Sequence, residues 1–441
     1  MKILLTTDHV YQSVNGVMIS ALNLKKELEK SGCDVRFLCL SPTLENIKPE
    51  PDFYCIGSIP FHIYPDIRTT LPILNPLVDE LIQWKPDIIH SQCEFITYTI
   101  VQHIAKRCHT PIIHTYHTLY EYYVNYLFPI GDWKKAVAPV MRTRLRTADV
   151  VIAPTAKTAE GLRKGRIAEE IRIIPTGIDL SKYEKVYSAE EKKAILSRLQ
   201  IPEGALIYGS VGRLAAEKNL SEVLHAHARL LKSGVTAYLV LTGDGADRAR
   251  LEKEARNLGI LPYVKFPGMV APKDVGAYYQ ILRFFISASV SETQGLTYIE
   301  ALANNIPVLA RKDSALLGVL EHGKNGYQYT NVEELDHYIH ELLEDDATYE
   351  KLVEGARASR EKFGTKLFGK RVLSLYQEVL SRGTEPRWKQ KRLGKQVLRR
   401  MKVRSDSSDY GRFYATLESK LRRTLFERAQ RRQKNQRQGK E

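Results

Sequence analysis

No run of roughly 20 uninterrupted apolar residues occurs in this 441-residue sequence, and a helix that crosses a bilayer needs one. An integral membrane protein is therefore not expected. Cysteine is scarce as well: Cys33, Cys39, Cys55, Cys93 and Cys108 are odd in number, lie in the first quarter of the chain and show no CxxC spacing. That pattern argues against zinc sites and disulfide frameworks and leaves buried thiols as the expectation, with no metal-ligating residue assigned. The opening Met1-Lys2-Ile3-Leu4-Leu5-Thr6-Thr7-Asp8-His9 has too short an apolar core for a secretory signal. A cytoplasmic location is the expectation.

Charge of one sign is also lacking over most of the chain. The formal net charge is +15, yet residues 382–441 hold 20 Lys and Arg against 6 Asp and Glu. The basicity belongs to that C-terminal segment, and the rest is nearly neutral. With 43% hydrophobic and 27% charged residues, the body has material for two domains, each with a core of its own.

What is present is an alternation of short β-branched runs with helix-length amphipathic segments. Strands are predicted at Lys2–Thr6, Val35–Leu40, Ile88–His90, Ile112–His114 and Val150–Ala153. A second set follows Pro202, at Leu206–Val211, Tyr238–Thr242, Val264–Phe266, Phe284–Ser287 and Val308–Ala310. Such alternation signals parallel βαβ construction, so the fold class is α/β with two doubly wound, Rossmann-like domains. The Pro/Gly turn Ile174-Pro175-Thr176-Gly177-Ile178-Asp179 marks the boundary between residues 1–178 and 179–365. Residues 366–383 read as a further helix crossing back to the first domain, and 384–441 as a basic, helical tail. Ligands of doubly wound folds bind outside the carboxyl ends of the strands, so the cleft between the domains is the expected site.

Three glycine-punctuated strand ends carry the chemistry. After Phe284–Ser287 comes Ser291-Glu292-Thr293-Gln294-Gly295-Leu296-Thr297-Tyr298-Ile299-Glu300. Strand, turn, Gly295 and helix place free N–H groups and a positive dipole end in the cleft, where a diphosphate is stabilised. Glu292 and Glu300 flank that helix start, although an isolated pair at this spacing would read as an acidic turn and a solvated Glu. Upstream, Gly209-Ser210-Val211-Gly212-Arg213-Leu214-Ala215-Ala216-Glu217-Lys218-Asn219 delivers Arg213 and Lys218 to the same edge. Two cations there can neutralise a diphosphate leaving group; alone, they would read as surface charge. Gly243-Asp244-Gly245 and Pro267-Gly268-Met269-Val270 each follow a strand and complete a nucleotide-binding edge.

In this combination, V-G-R-L-x-x-E-K-N, G-D-G, S-E-T-Q-G-L-T-Y-I-E-A-L-A and N-N-I-P-V-L-A, the chain resembles retaining glycosyltransferases of family 4, with the two-domain GT-B architecture, over about residues 1–380. The resemblance implies that Arg213 and Lys218 hold the diphosphate, Glu300 the ribose and Glu292 the donor sugar, with Gly243, Met269, Val270, Gly295, Leu296 and Thr297 around the donor. It implies a UDP-sugar donor and no obligatory cofactor, with Mg2+ at most a stimulant. Asn15-Gly16-Val17 resembles the family's Gly-Gly-Val loop; Gly16 lets backbone approach the donor, and Asn15, which tolerates left-handed geometry, replaces the first glycine. His117 ends the strand Ile112–His114 within His117-Thr118-Leu119-Tyr120-Glu121-Tyr122-Tyr123. That segment resembles the H-T-x-Y-E-x-Y of diacylglycerol glycosyltransferases and makes His117 a candidate to touch sugar or acceptor. His90 also ends a strand, with a weaker claim to contact. The acceptor implied is diacylglycerol or a glycolipid, and the product an α-glycosyldiacylglycerol; addition of a second sugar, or a phosphatidylinositol-type acceptor, stays open.

Residues 116–146 combine Tyr116, Tyr120, Tyr122, Tyr123, Tyr126, Phe128 and Trp133 with Lys134, Lys135, Arg142, Arg144 and Arg146. Rings beside a basic helix suit a lipid headgroup interface, although tyrosines packed in a core give the same composition. In the tail, Tyr410, Phe413, Tyr414, Leu417, Leu421 and Leu425 fall within an arc of about 120° on a helix wheel, with Lys420, Arg422, Arg423 and Arg428 between them. An anionic membrane surface, the inner face of the cell membrane, accounts for both stripe and charge. A nucleic-acid arm accounts only for the charge, and no nucleic-acid partner is expected. A catalytically silent protein recruited by its tail remains as a reading from another class.

Overall fold

The computed structural model describes residues 1–11, 13, 15–60, 68–70, 75–117, 134–289, 292–383 and 386–387, with the side chains of 69 and 134–137 left aside. Two parallel sheets organise them. The first has seven strands in the order Phe53–Ile56, Asp34–Leu40, Lys2–Val10, Ile88–Ser91, Ile112–Thr115, Val150–Ala153 and Ile171–Ile173. The second has six, in the order Val264–Gly268, Ala237–Thr242, Leu206–Val211, Phe284–Ser287, Val308–Arg311 and Gly326–Tyr329. All pairings within these two sheets are parallel. Their central strands are apolar on both faces because helices cover both sides. Lys2–Val10 is buried from Ile3 to Thr7, and Val308–Arg311 from Val308 to Ala310.

Every expected strand is present. Three edge strands escaped the sequence reading: Phe53–Ile56, Ile171–Ile173 and Gly326–Tyr329. Each is three or four residues long, too short for a periodicity to emerge from its flanks. Ile171–Ile173 also carries Arg172 between two isoleucines, and Ile173 is exposed.

The first helix, Gly16–Lys30, shows how sequence sets the packing. Asn15 opens it by accepting a hydrogen bond from the Met18 amide, 2.9 Å. Met18, Ala21, Leu24 and Leu28 then recur on one face and are buried against the sheet. The helix Thr365–Ser381 joins the same layer: Phe368, Val372, Leu375, Tyr376 and Val379 enter the core beneath the first sheet, far from their own neighbours in sequence. Each such buried side chain contributes about 1.5–3 kcal/mol. Ion pairs fasten its end, with Arg382 on Glu170 at 2.7 Å and Arg387 on Glu169 at 2.8 Å, while the Arg387 amide donates to Asp149 at 2.9 Å.

Two segments pass between the sheets and are bonded to each other: the Ile178 amide donates to Phe363 O at 2.8 Å, and the Thr365 amide to Ile178 O at 3.1 Å. Among the described residues no helix is long and apolar enough to cross a membrane. The expected membrane-facing Tyr120, Tyr122, Tyr123, Tyr126, Phe128 and Trp133 lie outside the described residues, as do the side chains of Lys134 and Lys135 and nearly all of the tail. Two other members of that expected interface, Tyr116 and Arg144, are engaged within the protein. Tyr116 is 1% exposed within the core. Arg144 donates to Glu94 O at 3.0 Å and Thr99 Oγ1 at 3.0 Å, and Arg142 to Gly165 O at 2.7 Å. Arg144 is thereby drawn into the protein, which corrects its reading as a headgroup contact, whereas Arg142 keeps its exposed position.

Candidate functional site

In the second sheet the strand order reverses between Leu206–Val211 and Phe284–Ser287, and the crevice outside such a reversal is where doubly wound sheets place ligands. Both strands deliver candidates there. Arg213 and Lys218 follow the first strand, the second leads to Glu292, Gly212, Gly243 and Gly268 stand at strand ends, and Gly295 stands at a helix start. A small recess, about 20 Å³ and so little more than one water molecule, is lined by Gly212, Arg213, Lys218, Thr242, Ser287 and Thr297.

The charges inside it are paired. Lys218 Nζ donates to Glu292 Oε1 at 2.6 Å, and Arg213 Nη2 to Glu217 Oε1 at 2.6 Å. Glu217, an acid the sequence reading passed over, thus shares Arg213. Burial pushes the Glu292 carboxyl up, but the charge and hydrogen bond of Lys218, the Ser289 hydroxyl and the charge of Lys157 outweigh it and hold the group below its ordinary range. Glu292 is therefore ionised at neutral pH.

Gly295 begins the helix Leu296–Ala303 in left-handed geometry, φ +72°. A Cβ there would lie 2.2 Å from the Tyr298 ring, whose hydroxyl is tied to Ser287 at 2.8 Å; only glycine fits. Gly243, φ +129°, is equally constrained, for a Cβ would meet Gly212 O at 1.9 Å. One turn along the helix from Thr297, Glu300 accepts from Tyr279 Oη at 2.9 Å, and Tyr183 supplies a second hydroxyl. Burial raises its carboxyl above the ordinary range against the pull of those two hydroxyls and of Lys182. Tyr279 Oη also lies 3.2 Å from Thr297 O, so Glu300 is coupled to the recess through Thr297 without lining it. Met269 and Val270 do not join this group: they line a separate cavity of about 670 Å³ with Lys185, Tyr187, Arg198 and Tyr278.

Across the cleft, a Cβ on Gly16 would stand 3.5 Å from Leu296 Cδ1, so the starts of two helices, one from each sheet, face each other. Asn15 is extended, φ −150°, and acts as the helix cap, so the loop does not use the left-handed geometry that asparagine tolerates. His117 Nε2 is 2.7 Å from Gln92 Oε1. Burial, with His114 and His9 nearby, pushes its pKa down to about 3, so the ring is neutral. His90 is wholly buried between Tyr376 Oη at 2.6 Å and Thr115 Oγ1 at 2.7 Å, a core position. Asp8 accepts from the amides of Phe95, Ile96 and Thr97 and from the Thr97 hydroxyl, capping the helix Ile96–Cys108.

Sequence reasoning missed the residues that join the two halves. Thr155 Oγ1 donates to Thr293 O at 2.7 Å, Lys157 pairs with Asp313, and Gln294 exchanges two hydrogen bonds with the Thr176 backbone at 2.8 and 2.7 Å. A signal did exist for the first two: Thr155-Ala156-Lys157-Thr158 follows the strand Val150–Ala153 after Pro154, at the carboxyl edge.

Comparison with known proteins agrees with the fold. Residues 191–359 match the model of glycosyl transferases group 1, and residues 14–182 that of Glycosyltransferase Family 4. The chain is 35% identical to alpha-monoglucosyldiacylglycerol synthase of Streptococcus pneumoniae, over 86% of each chain. It is 27% identical to the alpha-monoglucosyldiacylglycerol synthase of Acholeplasma laidlawii, covering 87% of this chain and 99% of that one. Among solved structures, HepE of Anabaena in complex with UDP and glucose superposes with a TM-score of 0.68 at 17% identity, covering 86% of this chain and 100% of that chain.

Proposed function

The chain belongs to glycosyltransferase family 4, and on that premise we propose that it moves a glucosyl group from UDP-glucose to the free hydroxyl of diacylglycerol, giving an α-glucosyldiacylglycerol at a membrane surface. The observation that carries this reading is the convergence of Arg213, Lys218 and Thr297 on one recess at the reversal of the second sheet, with Glu292 held on Lys218. The two alpha-monoglucosyldiacylglycerol synthases support the acceptor, and HepE with UDP and glucose supports the donor.

In this mechanism the diphosphate lies against the start of the helix Leu296–Ala303. Arg213 leaves Glu217 and Lys218 turns from Glu292 to meet it, which supplies the room that the closed recess lacks. Two cations and a helix N-terminus then stabilise the negative charge that builds up on the diphosphate as the glycosidic bond breaks. Glu292, ionised and released from Lys218, accepts hydrogen bonds from the glucose hydroxyls. Glu300 accepts from the ribose hydroxyls in place of Tyr279 and Tyr183. The acceptor hydroxyl attacks from the face the diphosphate leaves, and the departing phosphate oxygen takes its proton, so the anomeric configuration is retained without a protein nucleophile. His117, neutral and fixed by Gln92, offers its other ring nitrogen to the sugar or the acceptor. Closure of residues 1–178 on 179–365 excludes water from the reaction.

The test is incubation of the purified chain with radiolabelled UDP-glucose and diacylglycerol in vesicles. A labelled monoglucosyl lipid with α linkage is the expected product. Label appearing only when a monoglucosyl lipid or phosphatidylinositol is offered would replace the acceptor, and no transfer from any UDP-sugar would overturn the reading.

A further inference from the structure

The loop that carries Glu292 is held from the opposite domain. Thr155 caps the helix Ala156–Lys164, accepting from the Thr158 amide at 3.3 Å, and the same hydroxyl donates to Thr293 O at 2.7 Å. Thr158 Oγ1 approaches that carbonyl at 3.4 Å. Two residues after Thr155, Lys157 crosses to Asp313, which also caps the short helix Ser314–Leu316 by accepting from the Ala315 amide at 2.8 Å. Both members of the ion pair are largely buried, with side chains 18% and 7% exposed. Lys157 is near enough to Glu292 to favour its ionised form, beside the stronger effect of Lys218. On the other side of Thr293, Gln294 is bonded to the Thr176 backbone. The 292–294 loop is thus bonded on both sides by residues that precede the Ile178 crossing.

A buried ion pair is a poor source of stability, because desolvating two charges offsets most of their attraction. Its value lies in register, since either charge left alone in the interface is costly. We infer that Lys157 and Thr155 are positioning residues of the donor site: they hold Glu292–Gln294 in place only when the two domains meet, so the site is completed by closure. This rests on the reading of Glu292 as the residue that meets the donor sugar. Lys218 holds Glu292 from within its own domain; Lys157 adds a second cation that departs when the cleft opens. An open enzyme therefore binds the nucleotide on Arg213 and Lys218 but lacks the ordered loop for transfer, which limits loss of the sugar to water.

Lys157→Met and Thr155→Val, with Lys157→Arg as the conservative control, test this in the full chain. With UDP-glucose and diacylglycerol, Lys157→Met is expected to lower kcat at least about tenfold. Its affinity for UDP, measured by titration, should stay within about threefold of the parent, since the diphosphate cations are untouched. Hydrolysis of UDP-glucose without acceptor should rise relative to transfer, and Lys157→Arg should recover most of the loss. Small-angle scattering in saturating UDP should show a larger radius of gyration for Lys157→Met than for the parent. An unchanged kcat, or a fall in UDP affinity matching the fall in kcat, would overturn the proposal. So would an unchanged radius of gyration, and that arm judges the latch even if the parent transfers no glucose, which would instead refute the substrate assignment.

Discussion

Tyr376 Oη lies 2.6 Å from His90 Nδ1, although 286 residues separate the two in the chain. The helix bearing Tyr376 follows the whole second domain, yet its apolar face is part of the first domain's core. Without it, Ile3, Leu5, Phe37 and Ile113 would lose part of their cover, and His90 would lose a partner while still buried.

Truncations follow from this. A chain ending after Arg387 keeps the helix and its pairs with Glu169 and Asp149, and is expected to melt within about 2 °C of the parent. Its binding to anionic vesicles should be weaker and less sensitive to salt, if the basic tail is what meets lipid. A chain ending at Gly364 is expected to be insoluble or to lose its cooperative unfolding transition. Unaltered sedimentation of the Arg387-terminated chain with anionic vesicles would assign the tail another role.

Replacing Lys218 by Ala removes a cation that the proposed mechanism places on the diphosphate and leaves Glu292 buried without its 2.6 Å partner. Glu300→Ala removes the acceptor of Tyr279 and Tyr183. Each is expected to reduce transfer by at least about 100-fold, the scale of losing one strong transition-state contact, while far-ultraviolet dichroism is unchanged. A well-folded variant of either kind with full activity would contradict the assigned site.

Gly295→Ala imposes a Cβ at 2.2 Å from the Tyr298 ring and a left-handed conformation on alanine. Strain of about 1–2 kcal/mol from the backbone alone is expected, together with displacement of Tyr298 from Ser287. The measurable outcome is a lower melting temperature and a UDP affinity reduced about tenfold or more. Retained affinity would mean that this helix start does not meet the diphosphate.

Stability should fall on mild acidification. Burial lowers His90 well below its usual range and pushes His227, bonded to Tyr208 at 2.9 Å, down to about 4. Below the ordinary pKa of about 6.5 the unfolded chain binds protons that the folded one, with both rings lowered, refuses. The stability present above about pH 6.5 is therefore lost as pH falls, by about 1.4 kcal/mol per pH unit for each ring. Melting temperature should be level from about pH 7 to 8 and drop steadily towards pH 5, less steeply in His227→Gln. A level profile down to pH 5 would contradict this.

The strands of both sheets were legible because a central parallel strand needs a continuous apolar run, and such runs stand out locally. Edge strands such as Ile171–Ile173 need none, and passed unnoticed. Arg213, Lys218, Thr297 and Gly295 were legible because strand-end glycines and helix starts are local features that a doubly wound fold brings to one edge. Met269 and Val270 follow a strand just as regularly and line a larger cavity than the recess at Arg213. Tyr116 and Arg144 looked like surface groups by composition, and only packing against the Ile96–Cys108 region showed them turned inward.

Sequence by itself determined the alternation of elements, the parallel sheets and the chemistry available at their carboxyl edges, since backbone geometry and burial period are written over a few neighbouring residues. Tertiary structure alone decided the partners: Glu292 with Lys218 across 74 residues, Lys157 with Asp313 across 156, and Tyr376 with His90. Such pairings depend on how two sheets and a returning helix dock, and docking is settled by the fit of whole buried surfaces, which no short stretch of sequence contains.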